Sequence, residues 1–277
     1  MEFRGLKPGL AVALLALALV HPRPAPAQLE RLFEAPVVDG KDVVWVPTPD
    51  TAVDRMLALA RVGPADLVAD LGSGDGKIVI AAARRFGARG LGIEYSSDLV
   101  EISRRAARDG GVADRVRIVQ ADLFEADFRA ATVVTLYLLP SLNVKLRPKL
   151  LEMKPGTRVV SHVFRMGDWE PDETERIGSS DVYLWFVPAK VAGRWQVSGA
   201  AESRFDLVLE QRYQRLGGRA VVDGRERPLS EAELHGDQIR VAYTDAGGVR
   251  QVLAGRVAGD RMESADGRWR AVRVRPG

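Results

Sequence analysis

The 277 residues allow one large domain or a medium domain with a small one, and a composition 46% apolar and 28% charged is that of a globular chain with a sizeable core. The absence of cysteine excludes a disulfide framework, a thiolate zinc site and a cysteine nucleophile, and His21, His162 and His235 are too scattered to suggest a metal cluster, so no metal is expected. The net charge is +3, and Arg4, Lys7 and Arg23 against Glu2 place most of that excess before residue 28; no basic block points to a nucleic-acid partner.

Residues 1–27 read as a secretory signal peptide. Arg4 and Lys7 form a positive start, Gly9–Val20 an apolar run, and Ala25-Pro26-Ala27 a small-residue cleavage site before Gln28. The run is too short to span a bilayer easily, so no stable membrane span is expected after cleavage. The expected location is periplasmic or secreted; an uncleaved anchor or a misassigned start would make the protein membrane-anchored or cytoplasmic. Residues 28–44 read as a linker.

From residue 45 the pattern is α/β. Thr48 and Pro49 open a helix whose Val53, Met56, Leu57 and Ala60 share a core face, and Gly63-Pro64 ends it. Leu67–Leu71 is a short apolar strand, followed by a glycine turn and a helix over 77–86. Gly90–Glu94 is a second strand. Ser97 or Asp98 caps the next helix, with Leu99, Ile102 and Ala106 on one face and Gly110-Gly111 as its stop. Strands follow at 116–120, 132–136 and 158–164, with a helix over 142–153 that Pro148 is expected to kink. Val182–Val187 and Gly193–Val197 read as a hairpin. The whole predicts a doubly wound, Rossmann-like α/β sheet over 45–200. Beyond it, alternating strands at 205–209, 218–222, 238–243, 249–257 and 269–274, separated by Asp-Gly and Gly-Gly turns, predict a small antiparallel barrel or sandwich over 201–277.

The chemistry concentrates in Asp70-Leu71-Gly72-Ser73-Gly74-Asp75-Gly76-Lys77, which leaves a strand and enters a helix. Glycines let the backbone turn sharply and approach a ligand where a Cβ would clash. A dinucleotide fingerprint needs glycine where Lys77 stands, and a phosphate loop needs Ser or Thr where Ile78 stands. The reading that remains is S-adenosylmethionine. Asp70 would hold its cationic methionine end. Glu94, at the end of the second strand, would accept from the ribose hydroxyls. Asp122 would accept from the adenine amino group while Leu123 covers the ring. Each acid alone could be a cap or a solvated loop residue; three in succession after consecutive strands point to one site.

Together with that loop, Val46-Pro47-Thr48-Pro49, Leu138-Leu139-Pro140 and Val159-Val160-Ser161-His162 make residues 44–172 resemble the seven-strand protein lysine methyltransferases, whose known members modify the mitochondrial ATP synthase c-subunit and adenine nucleotide translocase, with bacterial relatives. The resemblance implies a protein substrate methylated on lysine, and a segment before the first helix, with Thr48, that helps close the cofactor site. Residues 136–140 would line the acceptor pocket; they lack the Asn/Asp-Pro-Pro-Tyr pattern of enzymes that methylate adenine or glutamine amides. Tyr137 would orient an amine or pack as a strand-end aromatic. His162 would serve as base or as a structural histidine. Trp169 and Trp185 read as core or rim aromatics. Two further functions stay open: methylation of a small or lipid-linked envelope molecule, and a non-catalytic envelope binding protein that retains the cofactor fold.

Overall fold

The computed structural model describes residues 45–199 and 204–275. The expected signal peptide and linker lie outside the described residues. Among the described residues no helix is long and apolar enough to cross a membrane.

The first half alternates helices and strands: α1 Asp50–Leu59, β1 Leu67–Leu71, α2 Lys77–Phe86, β2 Arg89–Glu94, α3 Ser97–Asp109, β3 Val116–Gln120, β4 Val133–Leu136, α4 Pro140–Leu151, β5 Arg158–His162, β6 Glu173–Ile177 and β7 Ser180–Phe186. The strands form one sheet in the order β3-β2-β1-β4-β5-β7-β6. β3, β2, β1, β4 and β5 run parallel, and β7 pairs antiparallel with both β5 and β6. Continuous apolar strands follow from cover on both faces. Val68, Val133, Val160 and Val182 meet Val53, Met56 and Leu57 of α1 and Ala82 of α2. Ala69, Leu71, Val134, Val159 and Trp185 face the other way, toward Leu146 and Leu150 of α4 and Trp169. The chain order reverses between β1 and β4, and ligands of such sheets bind beyond the strand ends at that reversal.

The second half is β8 Gly193–Ser198, β9 Arg204–Arg212, β10 Arg215–Val222, β11 Arg225–Pro228, β12 Glu231–His235, β13 Gln238–Thr244, β14 Arg250–Ala258, β15 Arg261–Glu263 and β16 Arg270–Arg273. Eight of these, all but β11, close into an antiparallel ring through β16–β8, β8–β9, β9–β10 and β10–β12. The architecture is therefore a barrel rather than a sandwich. Trp195, Phe205, Leu207, Leu209, Val241, Tyr243 and Trp269 fill it.

Several local expectations are corrected. Gly193–Val197 does not form a hairpin with Val182–Val187; β8 pairs with β9 and β16 in the barrel, and the hairpin partner of β7 is the polar edge strand β6. The change of sheet thus falls between residues 187 and 193. Pro49, not Thr48, occupies the N-cap of α1, and no side chain caps it. Ser96 caps α3, accepting from the Leu99 amide over 3.4 Å. The buried face of α3 is Val100, Ser103 and Ala107, while Ile102 is exposed.

The barrel meets the first sheet through the tip of the β9–β10 hairpin. Tyr213, at φ +55°, stacks on Trp169 with ring centroids 6.0 Å apart, and Trp169 Nε1 donates to Gln214 Oε1 over 3.0 Å. Asp168 accepts from the Tyr213 hydroxyl, from Arg212 and from Arg147 of α4. Trp169 is a core residue of this joint, and Trp185 Nε1 donates to its carbonyl.

Candidate active site

The glycine loop leaves β1 at Leu71 and bends toward β2, because the Gly72 and Ser73 amides both donate to the Ile93 carbonyl, over 2.9 and 3.0 Å. Gly72, Gly74 and Gly76 all sit at positive φ (+75°, +52° and +76°), where a side chain is strained. At Gly76 a Cβ would also stand 2.8 Å from Ser103 Cβ, so the loop approaches α3 closely. Glu94, buried at the end of β2, holds the loop from behind. Its Oε2 accepts the Gly74 amide over 2.8 Å and its Oε1 accepts the Ser96 amide over 2.9 Å. Each oxygen keeps a second acceptor direction, which suits the hydroxyl pair of a ribose.

Asp70 is buried beneath the loop and accepts the Thr135 hydroxyl over 2.7 Å. Burial pushes its carboxyl up to about 7 against that hydrogen bond, and the nearby charges of Asp75 and Glu94 push the same way. On the other side, the Ala121 amide donates to the Glu94 carbonyl, which sets Asp122 next to the end of β2. Asp122 Oδ1 accepts the Phe124 amide over 2.8 Å. Asp122 lines an open cleft of about 480 Å³ with Tyr95, Ser96, Ser97, Gln120 and Ala121. Leu123 packs half-buried against the core. The structure brings the loop, Asp70, Glu94, Asp122 and Leu123 to one end of the sheet. A glycine cradle at positive φ, free carboxylate acceptor positions and an adjoining cleft fit a sulfonium nucleoside.

The segment before α1 reaches this cradle by a contact that sequence reasoning missed. Lys77 Nζ donates to the Thr48 carbonyl over 3.2 Å and pairs with Asp50 at 2.9 Å. Thr48 therefore enters through its backbone rather than as a helix cap. The position that argued against a dinucleotide loop carries the tie between loop and N-terminal segment.

At the acceptor side, Tyr137 follows β4 and His162 ends β5, with ring centroids 4.6 Å apart; Phe164 stacks on Tyr137 at 6.1 Å. The Ser180 hydroxyl lies 3.2 Å from the Ile177 carbonyl oxygen and 3.1 Å from His162 Nε2, within hydrogen-bond reach of both. Nδ1 of the same ring is buried and has no hydrogen-bond partner. Burial pushes His162 down to about 4 and raises Tyr137. Val163, at φ +67°, is the centre of a γ-turn in which the Phe164 amide donates to the His162 carbonyl over 2.8 Å. A β-branched residue is strained there. Asn143 Nδ2 and Ser161 Oγ hold the turn by donating to the Phe164 carbonyl, over 3.2 and 2.6 Å. Only the small polar side chains at 143 and 161 signalled this support. Among the described residues no cluster of three acidic, histidine or cysteine side chains could hold a metal.

Strand order, the single reversed strand β7 and a glycine loop braced by the acid that ends β2 define a class I S-adenosylmethionine-dependent methyltransferase. Residues 70–173 match the family described as the ANTKMT methyltransferase domain. A protein-lysine N-methyltransferase of Saccharolobus islandicus (strain REY15A) is 42% identical over 151 residues, covering 52% of this chain and 94% of the relative. The adenine nucleotide translocase lysine N-methyltransferase of Mus musculus is 32% identical over 183 residues, covering 63% of this chain and 74% of its own. A solved structure, described as an RNA methyltransferase from Salinibacter ruber in complex with S-adenosyl-L-homocysteine, is 58% identical with a TM-score of 0.52, covering 53% of this chain and 96% of that one. The chain belongs to the family of S-adenosylmethionine-dependent protein-lysine N-methyltransferases. The matched family domain ends at residue 173, ahead of the barrel.

Proposed function

We propose that this chain transfers a methyl group to the ε-amine of a lysine in a protein substrate. Bound S-adenosylmethionine supplies an electrophilic methyl on a sulfonium. The backbone amides and carboxylates around residues 70–76, with Glu94, Asp122 and Leu123, hold it, and Thr48 closes the site through the tie to Lys77. In-line transfer to a held nucleophile depends mostly on positioning. A lysine must arrive neutral, and removal from water lowers its pKa. The aromatic wall of Tyr137, His162 and Phe164 supplies that dry surface. Tyr137 orients the amine, and His162 serves as the base that accepts its proton.

The observation that carries this reading is the Gly74–Glu94 hydrogen bond of 2.8 Å, which braces the cradle at the reversal of strand order beside Tyr137 and His162. The lysine acceptor is supported by the relatives described as lysine methyltransferases. The reading is tested with the full chain, methyl-labelled S-adenosylmethionine and protein and RNA fractions of its own cells. Methyl-lysine in protein hydrolysates is expected. Label confined to RNA, the substrate class in the description of the Salinibacter relative, or to lipid, would overturn the lysine acceptor. The N-terminal pattern supports export as part of the same proposal, and fractionation of cells with an antibody to the barrel tests it.

A further inference from the structure

The five tryptophans divide into two kinds. Trp169, Trp185 and Trp195 are fully buried and Trp269 is 6% exposed, whereas Trp45 is 45% exposed. Its position is not explained by core packing, yet its indole is held against the glycine loop. A Cβ built on Gly74 would stand 2.1 Å from Trp45 Nε1 and 2.8 Å from its Cδ1. The indole thus covers the loop on the side that the missing side chain leaves open.

The arm that carries this indole is stiff and anchored. Pro47 and Pro49 fix the backbone on both sides of Thr48. Thr48 is buried, and Lys77 grips its carbonyl at 3.2 Å and Asp50 at 2.9 Å. Lys77 is the first residue of the helix that the glycine loop opens. Loop and arm are therefore tied three residues from Trp45, while Trp45 itself and Val46 remain exposed. An anchored base with an exposed aromatic end suits a wall that moves a short distance against a ligand.

We propose that Trp45 is a cofactor-contact residue whose indole closes over the glycine loop and stacks on the cationic methionine end of S-adenosylmethionine. The inference rests on the cofactor site described above and names a residue of that site outside the loop and its acids. An indole is the strongest aromatic partner for a cation, and a sulfonium is a cation that S-adenosylhomocysteine lacks.

Tryptophan emission tests this on the full chain without reference to turnover. The other four tryptophans are buried in the fold, so an emission change on adding ligand reports Trp45. Saturating S-adenosylmethionine is expected to change the emission of the wild type and not of Trp45→Phe, which still binds by calorimetry. Trp45→Ala is expected to lose about tenfold in affinity for S-adenosylmethionine and less for S-adenosylhomocysteine, within the range of a cation–π contact. Its melting temperature without ligand stays that of the wild type. Unchanged emission in a wild type that binds by calorimetry would overturn the contact while leaving the cofactor site standing. Equal losses for both ligands would overturn the cation stacking, and tighter binding by Trp45→Ala would make the indole a plug. Absence of calorimetric binding in the wild type would sink the cofactor site and this inference together.

Discussion

Gly74 and Glu94, twenty residues apart in the chain, meet through a 2.8 Å hydrogen bond from the Gly74 amide to Glu94 Oε2. The other oxygen of the same carboxylate takes the Ser96 amide. One side chain thus fixes the shape of the loop and the start of α3. Glu94→Ala leaves two backbone donors without acceptors, at roughly 1–3 kcal/mol each when buried. Cofactor affinity is expected to fall about a hundredfold or more while the far-ultraviolet dichroism stays native. Wild-type affinity by calorimetry would refute the role given to this carboxylate.

Asp70 sets a pH dependence of binding. Burial raises its carboxyl to about 7, so near neutral pH it is partly protonated in the free protein. A cationic ligand favours the carboxylate, so affinity for S-adenosylmethionine should rise through pH 7 and fall below it. Binding at pH 7 should release protons, read as a difference in heat between buffers of unlike ionisation enthalpy. Asp70→Asn should abolish both effects.

His162 has the opposite shift. Its pKa is depressed from 6.5 to about 4 by burial, so the native state favours the neutral ring. The resulting stability is present above pH 6.5 and lost as pH falls from 6.5 toward 4. Urea unfolding across that window should show a slope that His162→Phe flattens. The same variant should lower turnover by roughly 10²–10⁴, the range of a lost general base, with cofactor affinity unchanged.

The barrel joint makes a stability prediction. Tyr213→Ala removes the ring stacked on Trp169 and one donor to Asp168. A loss of roughly 1–3 kcal/mol in denaturant unfolding is expected. Truncation after residue 200 leaves β8 without β9 and β16 and uncovers the buried Trp195 and Val197, so aggregation is expected. A cut after residue 187 removes the entire barrel strand and should give the more soluble product, as judged by gel filtration.

Where the sequence was legible, local signals and global packing agreed. The apolar runs of β1 and β4, the glycine loop and the acids at 94 and 122 follow from strand length, turn chemistry and position after a strand. β6 was missed because Glu-Thr-Glu-Arg-Ile is an edge strand with no apolar run. Alternation at Trp195 and Val197 reveals a strand but not its sheet, which closure of the distant barrel decides. On α3 two faces had similar spacing, and the larger side chains of Leu99 and Ile102 favoured the wrong one. The close approach of Gly76 requires a small residue opposite, and Ser103 supplies it. The acceptor side was half legible: Tyr137 and His162 stood at strand ends, but the turn at Val163 and its support by Asn143 depend on contacts 18 to 21 residues apart.

The closed ring of the barrel limits how it can meet another protein. Where a ring strand has a neighbour on each side, as β13 has in β12 and β14, its backbone offers no row of free amides and carbonyls to an incoming chain. The pendant β11 lies outside the ring, and its Arg225-Glu226-Arg227-Pro228 sequence presents charges and a residue without an amide hydrogen. A partner that approaches the paired stretches of this half meets side chains and turns rather than a free strand edge.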